Sequence, residues 1–256
     1  MKQIKLITVF LIFLSYFLNA QEIVKVDSLS IEKNQNIKFN YKQLIIPTAL
    51  IGYGLVGLNS HDLKDLNLRI RNEVTDDIDG KITIDDFSQY APVLSVYALN
   101  LAGIKGKNNL RNRTIIMGTS FLLMSGTVMG LKSLTKVERP DGSAFNSFPS
   151  GHTATAFAGA EFLWQEYKDV SIWYGISGYI VATGTGFFRI YNNKHWLTDV
   201  ATGAGIGILS TKVAYWMFPF IDKHIFKSKK NLSSGMIAPF YNGKQMGLGM
   251  ILNLKH

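Results

Sequence analysis

The sequence predicts an all-α helical bundle embedded in a membrane, closed by a small C-terminal β-hairpin. Three observations carry that reading. Six apolar segments, Leu44–Leu58, Tyr90–Ile104, Thr114–Leu131, His152–Tyr167, Ile172–Phe188 and Val200–Ile221, lack strand alternation, and most exceed strand length. Small residues recur in Gly126-x-x-x-Gly130 and Gly203-x-Gly205-x-Gly207, where helices can approach closely. Three of the segments come near the roughly 20 residues that span a bilayer.

Taken in chain order, Met1–Lys5 followed by an apolar run to Leu18-Asn19-Ala20 has the form of a secretory signal, with cleavage expected after Ala20. Residues 21–89 follow as an N-terminal periplasmic segment. Its one apolar helix, Leu44–Leu58, is too short to cross: about 22 Å at ~1.5 Å per residue, against a hydrocarbon core of roughly 30 Å. Thr75–Asp86 partly mimics a calcium loop but lacks an acidic first ligand and a final Glu, and is read as an acidic loop. Residues 90–221 form the bundle that holds every chemical motif. Residues 222–256 are a basic linker and a hairpin, with Asn242-Gly243 as a two-residue turn.

Composition narrows the class further. The chain has 256 residues, a net charge of +9 and no cysteine, so an exported protein of this kind uses no disulfide. The basic residues are dispersed and do not form a nucleic-acid stripe, which points to an anionic lipid surface or a phosphate substrate and excludes a nucleic-acid partner. The glycines at 203–207 do not form a nucleotide loop, because no strand precedes them.

Three short stretches carry the chemistry: Lys132 with Arg139-Pro140, Pro149-Ser150-Gly151-His152, and Arg189 with His195 and Asp199. A phosphoryl group in transfer spreads charge over its oxygens, so catalysis is mostly positioning and charge stabilisation. Arg139 and Arg189 offer planar forks, and Lys132 offers a point charge. Ser150 reads as the N-cap of a helix, and Gly151 lets the backbone close on an anion at that positive helix end. His195 and Asp199 are spaced i, i+4 and would share a helical face, so that the carboxylate orients the imidazole. His152, beside the anion cradle, suits a general acid.

These stretches resemble the three signature motifs of the type 2 phosphatidic acid phosphatase (PAP2) and vanadium haloperoxidase superfamily, over roughly residues 90 to 220. The resemblance implies a helical bundle and a phosphohistidine mechanism with no metal and no cofactor. By position, His195 would be the nucleophile, Asp199 its orienting partner and His152 the acid. Lys132, Arg139, Ser150, Gly151 and Arg189 would bind phosphate. Phe188 stands where the family often has a serine, which removes one donor and leaves every charged role filled.

Singly, each of these residues has a plain structural reading: a solvated cation, a core histidine, a turn, or in Asp199 a helix cap. Order, spacing and chemistry together favour a phosphatase. The expected substrate is a phospholipid or polyprenyl phosphate or diphosphate, hydrolysed at the periplasmic face of the cell membrane. The alternatives are a soluble periplasmic acid phosphatase of broad specificity and, from another class, a non-catalytic phospholipid-binding membrane protein. Basic clusters at Lys105–Arg113 and Lys223–Lys230 mark the cytoplasmic side and put all three motifs outside. Trp196 and Phe187-Phe188 read as packing or interfacial aromatics.

Overall fold

The computed structural model describes residues 41–75, 80 and 83–225, with the backbone of 235–241 and 246–252. The expected signal at 1–20 and most of the second basic cluster lie outside the described residues. After a 3-10 turn at Tyr41–Leu44 come α1 (Ile45–Gly57), α2 (His61–Thr75), α3 (Ile84–Ser88), α4 (Ala91–Leu101), α5 (Leu110–Thr135), α6 (Gly151–Tyr167), α7 (Ile172–Tyr191) and α8 (Leu197–His224). Strands β1 (Gly235–Tyr241) and β2 (Met246–Leu252) pair antiparallel, with Tyr241 opposite Met246. The all-α bundle and its hairpin are therefore as expected, except that four residues, 242–245, separate the strands where a two-residue turn was read.

Local chemistry explains where the long helices begin. Asn109 caps α5 by accepting from Asn112 N at 2.9 Å, and Ser150 and Ser171 cap α6 and α7. Helix α5 stops where Lys136 turns left-handed at φ 45°. The helix α2 escaped the apolar-segment reading altogether, because charged residues alternate with its leucines and leave no continuous apolar run.

Helix α8 runs through the centre, packed on α1, α5 and α6, while α6 also packs on α4 and α7. Gly207 permits a close backbone approach: a Cβ there would lie 2.3 Å from the Ala154 carbonyl oxygen and 2.8 Å from Ala158 N. Gly203 and Gly205 do the same against α6 and α1, as their spacing suggested. The other glycine pair does not: Gly126 and Gly130 have nothing within 4 Å of an added Cβ and lie on an open face of α5. The apolar core joins Val93 and Val96 of α4, Ile116 and Met117 of α5, Phe162, Leu163 and Tyr167 of α6, and Ala214 and Tyr215 of α8.

Helices α5 and α8 are long and apolar enough to cross a membrane, and the pair α1–α2, bent by 98° at its break, could form a third span. Leu122, Met129 and Leu134 of α5 are exposed, as a lipid-facing side requires. Helix α1 alone has 13 residues, short of a crossing.

One end of the bundle is tied by buried charge. Glu166 of α6 accepts from Asn108 N (3.0 Å), Asn108 Nδ2 (2.6 Å) and Tyr215 Oη (2.6 Å), and lies 3.5 Å from Arg113 Nη2. Glu161 is met by Lys212 Nζ at 2.7 Å and by the Tyr179 hydroxyl. Buried charges survive when paired and hydrogen-bonded in this way. Arg113, counted among the topology-setting cations, is thus a buried structural residue, and Arg111 pairs with Asp222 at 2.8 Å. Exposed Lys105 and Lys107 remain as the surface signal.

Candidate active site

At the opposite end four helix termini meet: the end of α5, the start of α6, the end of α7 and the start of α8. They carry all three motifs. Ser150 N donates to the Asp199 carbonyl at 3.0 Å, which ties the second motif to the third. Lys132 donates to the backbone oxygens of Asn146 and, at 3.4 Å, Ser147, which ties the first motif to the loop before the second. Arg139 Nε donates to Asn146 Oδ1 at 2.8 Å, so one asparagine holds both cations.

His195 does not lie on a helix. It precedes α8, in the turn after Asn193, whose backbone is left-handed at φ 57°. The expected shared helical face is replaced by a loop-to-helix approach, with His195 Nδ1 3.5 Å from Asp199 Oδ2. Ser147 stands between them: its Oγ is 3.4 Å from His195 Nδ1 and donates to Asp199 Oδ2 at 2.5 Å. Asp199 also accepts from Trp196 N at 2.9 Å, so it caps α8 and faces the imidazole at once. His195 Nε2 is left without a hydrogen-bond partner among the described residues.

His195 is only 2% exposed, and burial, resisted by Asp199 and reinforced by the charges of Arg189 and Lys132, lowers its pKa to about 4. The ring is neutral at pH 7, with a lone pair on offer. Burial also lowers His152, helped by Arg189 and opposed by Asp86 and Asp85. Arg139 is pushed below its ordinary value by burial and by Arg189.

Arg189 is buried and binds Asp85, while its Nε has no hydrogen-bond partner. A buried guanidinium with a donor to spare can take an anionic oxygen. Ser150 caps α6 as expected, its Oγ accepting from Thr153 N at 3.4 Å, with Gly151 opening the helix.

Sequence reading missed several residues here. Asp85 and Asp86 were left in an acidic loop, yet they sit on α3 inside the site. Asp85 accepts from Arg189 and from Asn192 Nδ2 (2.9 Å), and Asp86 Oδ1 lies 2.9 Å from His152 Nε2. Asn67 and Arg71 of α2 brace the His195 turn through Thr198 and Asn193. A surface helix and a polar loop carry no motif spacing that would announce these contacts. Asp85, Asp86 and His152 place ligand atoms within 4.8 Å of one another, but Arg189 already occupies Asp85 and stands 3.9 Å from Asp86. A cation there would have to displace a guanidinium.

A buried histidine backed by a carboxylate, with the charges of Arg189 and Lys132 acting on it, lies at the helix ends that also carry Arg139 and His152. Residues 113–223 match the PAP2 superfamily. The chain is 42% identical to the lipid A 1-phosphatase of Porphyromonas gingivalis over 139 residues, 54% of this chain and 31% of that protein. It is 34% identical to the bacitracin transport permease protein BcrC of Bacillus licheniformis over 74 residues, 29% of this chain and 34% of that protein. The matches thus cover about a third of each relative's length. Among solved structures, Aquifex aeolicus LpxE is similar at a TM-score of 0.45 and 23% identity, covering 58% of this chain and 94% of that one. A transmembrane PAP2 type phosphatidylglycerolphosphate phosphatase from Bacillus subtilis is similar at 0.42 and 20%, covering 72% and 99%.

Proposed function

We propose that the chain is a metal-independent phosphatase that removes a phosphate from a lipid phosphate or diphosphate through a phosphohistidine on His195. The observation that carries this reading is a buried, carboxylate-backed His195 on which the charges of Arg189 and Lys132 act. His195 Nε2 attacks phosphorus as the bond to the leaving oxygen breaks, and His152 gives that oxygen a proton. Lys132, Arg139 and Arg189, with the Ser150–Gly151 helix start, hold the phosphoryl oxygens and the charge that develops on them. Water then attacks the phosphohistidine, gives a proton back to His152, and releases phosphate.

A lipid is favoured over a soluble ester by the side chains next to the site. Ile84 and Phe87 adjoin Asp85 and Asp86, Phe145 adjoins Asn146, and all three are exposed, Phe87 at 76%. A polar site ringed by exposed apolar side chains suits a phosphate at a membrane surface. Likeness to a lipid A 1-phosphatase makes the sugar 1-phosphate of lipid A the first candidate, ahead of phosphatidic acid, phosphatidylglycerol phosphate and polyprenyl diphosphate. Helices α5 and α8 bring the site end of the bundle to one membrane face. The opposite end carries Lys105, Lys107 and Lys223, which supports a periplasmic site.

The test is phosphate release by purified protein from this panel and from soluble monoesters, in excess chelator. Faster turnover of a lipid than of any soluble monoester supports the reading. Turnover of soluble esters alone, or of nothing, overturns it.

A further inference from the structure

Asp86 makes contacts that this scheme does not use. Its Oδ1 is 2.9 Å from His152 Nε2 and 3.9 Å from Arg189 Nη1. Its neighbour Asp85 is buried against Arg189 and Asn192, whereas the Asp86 side chain is 53% exposed. The two carboxylates of α3 thus divide the site: one holds the phosphate-binding arginine, and the other holds the imidazole of the general acid. Ser88, two residues on, fastens α3 to α7 through Thr185 at 2.8 Å, so the short helix is anchored where it reaches the site.

The two nitrogens of His152 have different surroundings. Nε2 faces Asp86, and Nδ1 makes no hydrogen bond among the described residues. A carboxylate on one imidazole nitrogen fixes the ring's orientation and tautomer and stabilises its cation.

We propose that Asp86 is the positioning residue of the general acid: it holds His152 by Nε2 so that Nδ1 delivers the proton to the departing oxygen. The proposal rests on the phosphohistidine reading above. As the His195 Nε2–phosphorus bond forms, the phosphorus–oxygen bond breaks with its electron pair on oxygen, and the Nδ1 proton moves to that oxygen. His152 is then neutral until the hydrolytic water returns a proton to it. The charged groups facing His152 are Asp85 and Asp86 from α3 and Arg189 from α7. A carboxylate favours the imidazolium, so removing the Asp86 charge brings loss of the acid form to lower pH.

The experiment uses the full chain in detergent and two substrates, dodecyl phosphate and p-nitrophenyl phosphate. An alkoxide needs a proton to leave, and a nitrophenolate does not. Asp86→Asn should lower the alkyl-to-aryl rate ratio by about tenfold or more, within the 10²–10⁴-fold worth of general acid–base catalysis. It should also move the alkaline limb of the alkyl profile to lower pH, and Asp86→Glu should restore the ratio. Asp85→Asn, acting through Arg189, should lower both rates together. If Asp86→Asn slows both substrates equally, or leaves the alkaline limb in place, the contact is structural and the proposal fails. If the native chain releases phosphate from neither ester nor any lipid, the phosphatase reading itself fails, which is a different result.

Discussion

Asn67 and Thr198 exchange two hydrogen bonds across 131 residues of sequence: Asn67 Nδ2 donates to Thr198 Oγ1 at 2.9 Å, and Thr198 N donates to Asn67 Oδ1 at 3.3 Å. The second bond satisfies an amide in the first turn of α8 that no intrahelical carbonyl can reach. A side chain on α2 thereby fixes the start of the helix that carries Asp199, four residues after His195. Asn67→Ala leaves two buried polar groups unpaired and should cost about 2 kcal/mol of stability. Thermal unfolding would show this, with a lower kcat at an unchanged KM because the His195 turn loosens. An unchanged unfolding temperature would remove α2 from the account of the site.

His195 sets the acid side of the activity profile. Burial holds its pKa near about 4, so its reactive neutral form persists well below the ordinary histidine range. Turnover should fall on the acid side through the pH 4 region, provided the substrate's own ionisation is corrected for. The sign for stability follows: the unfolded chain takes a proton on this residue near about 6.5 and the folded chain does not. Its contribution is therefore full above about 6.5 and is lost progressively as pH falls toward about 4. His195→Ala should abolish both turnover and an acid-labile phosphoenzyme, and normal labelling of that variant would reassign the nucleophile.

Full activity is expected in excess chelator, with vanadate as a competitive inhibitor. Lys132, Arg139 and Arg189 supply the compensating charge, and the acidic cluster found among the described residues is already held by Arg189. Activity lost to chelator and restored by magnesium would mean that Asp85, Asp86 and His152 bind a cation in the working enzyme.

Two glycine motifs that look alike in the sequence make opposite predictions. Gly207→Ala forces a Cβ against the backbone of α6 and should cost on the order of 1–3 kcal/mol by overpacking. Gly126→Ala meets nothing and should stabilise α5 by up to about 1 kcal/mol through helix propensity. Paired unfolding curves decide both, and equal effects would refute the packing described for α6 and α8.

That contrast marks how much of the molecule the sequence could reveal. The helices were legible because apolar runs of 15 to 22 residues have few other structures open to them, and Ser150 announced its cap. The motif residues were legible because their types and order suit one chemistry. The facing partner of each helix was not, since Gly126 and Gly207 have the same local pattern and only the fold decides which meets a neighbour. Asp85, Asp86, Asn67 and Ser147 were hidden for the same reason. Their roles depend on contacts across 52 to 131 residues that no local spacing encodes.

The last prediction concerns the face of the membrane on which the site lies. The end of α5 and the start of α8 bear the motifs, and the last turn of α8 carries Lys223, so the positive-inside rule predicts a site on the outer side. The chain has no cysteine, so one introduced thiol reports its side without background. Asn146 is a poor place for it, since its carbonyl and amide hold Lys132 and Arg139. Phe145 is better, being 63% exposed on the same loop between the first two motifs. Phe145→Cys should react in intact cells with a thiol reagent that enters the periplasm but does not cross the inner membrane. Reaction only after lysis would put the site in the cytoplasm, require an odd change in the number of crossings before α5, and redirect the substrate panel to lipids of the inner leaflet.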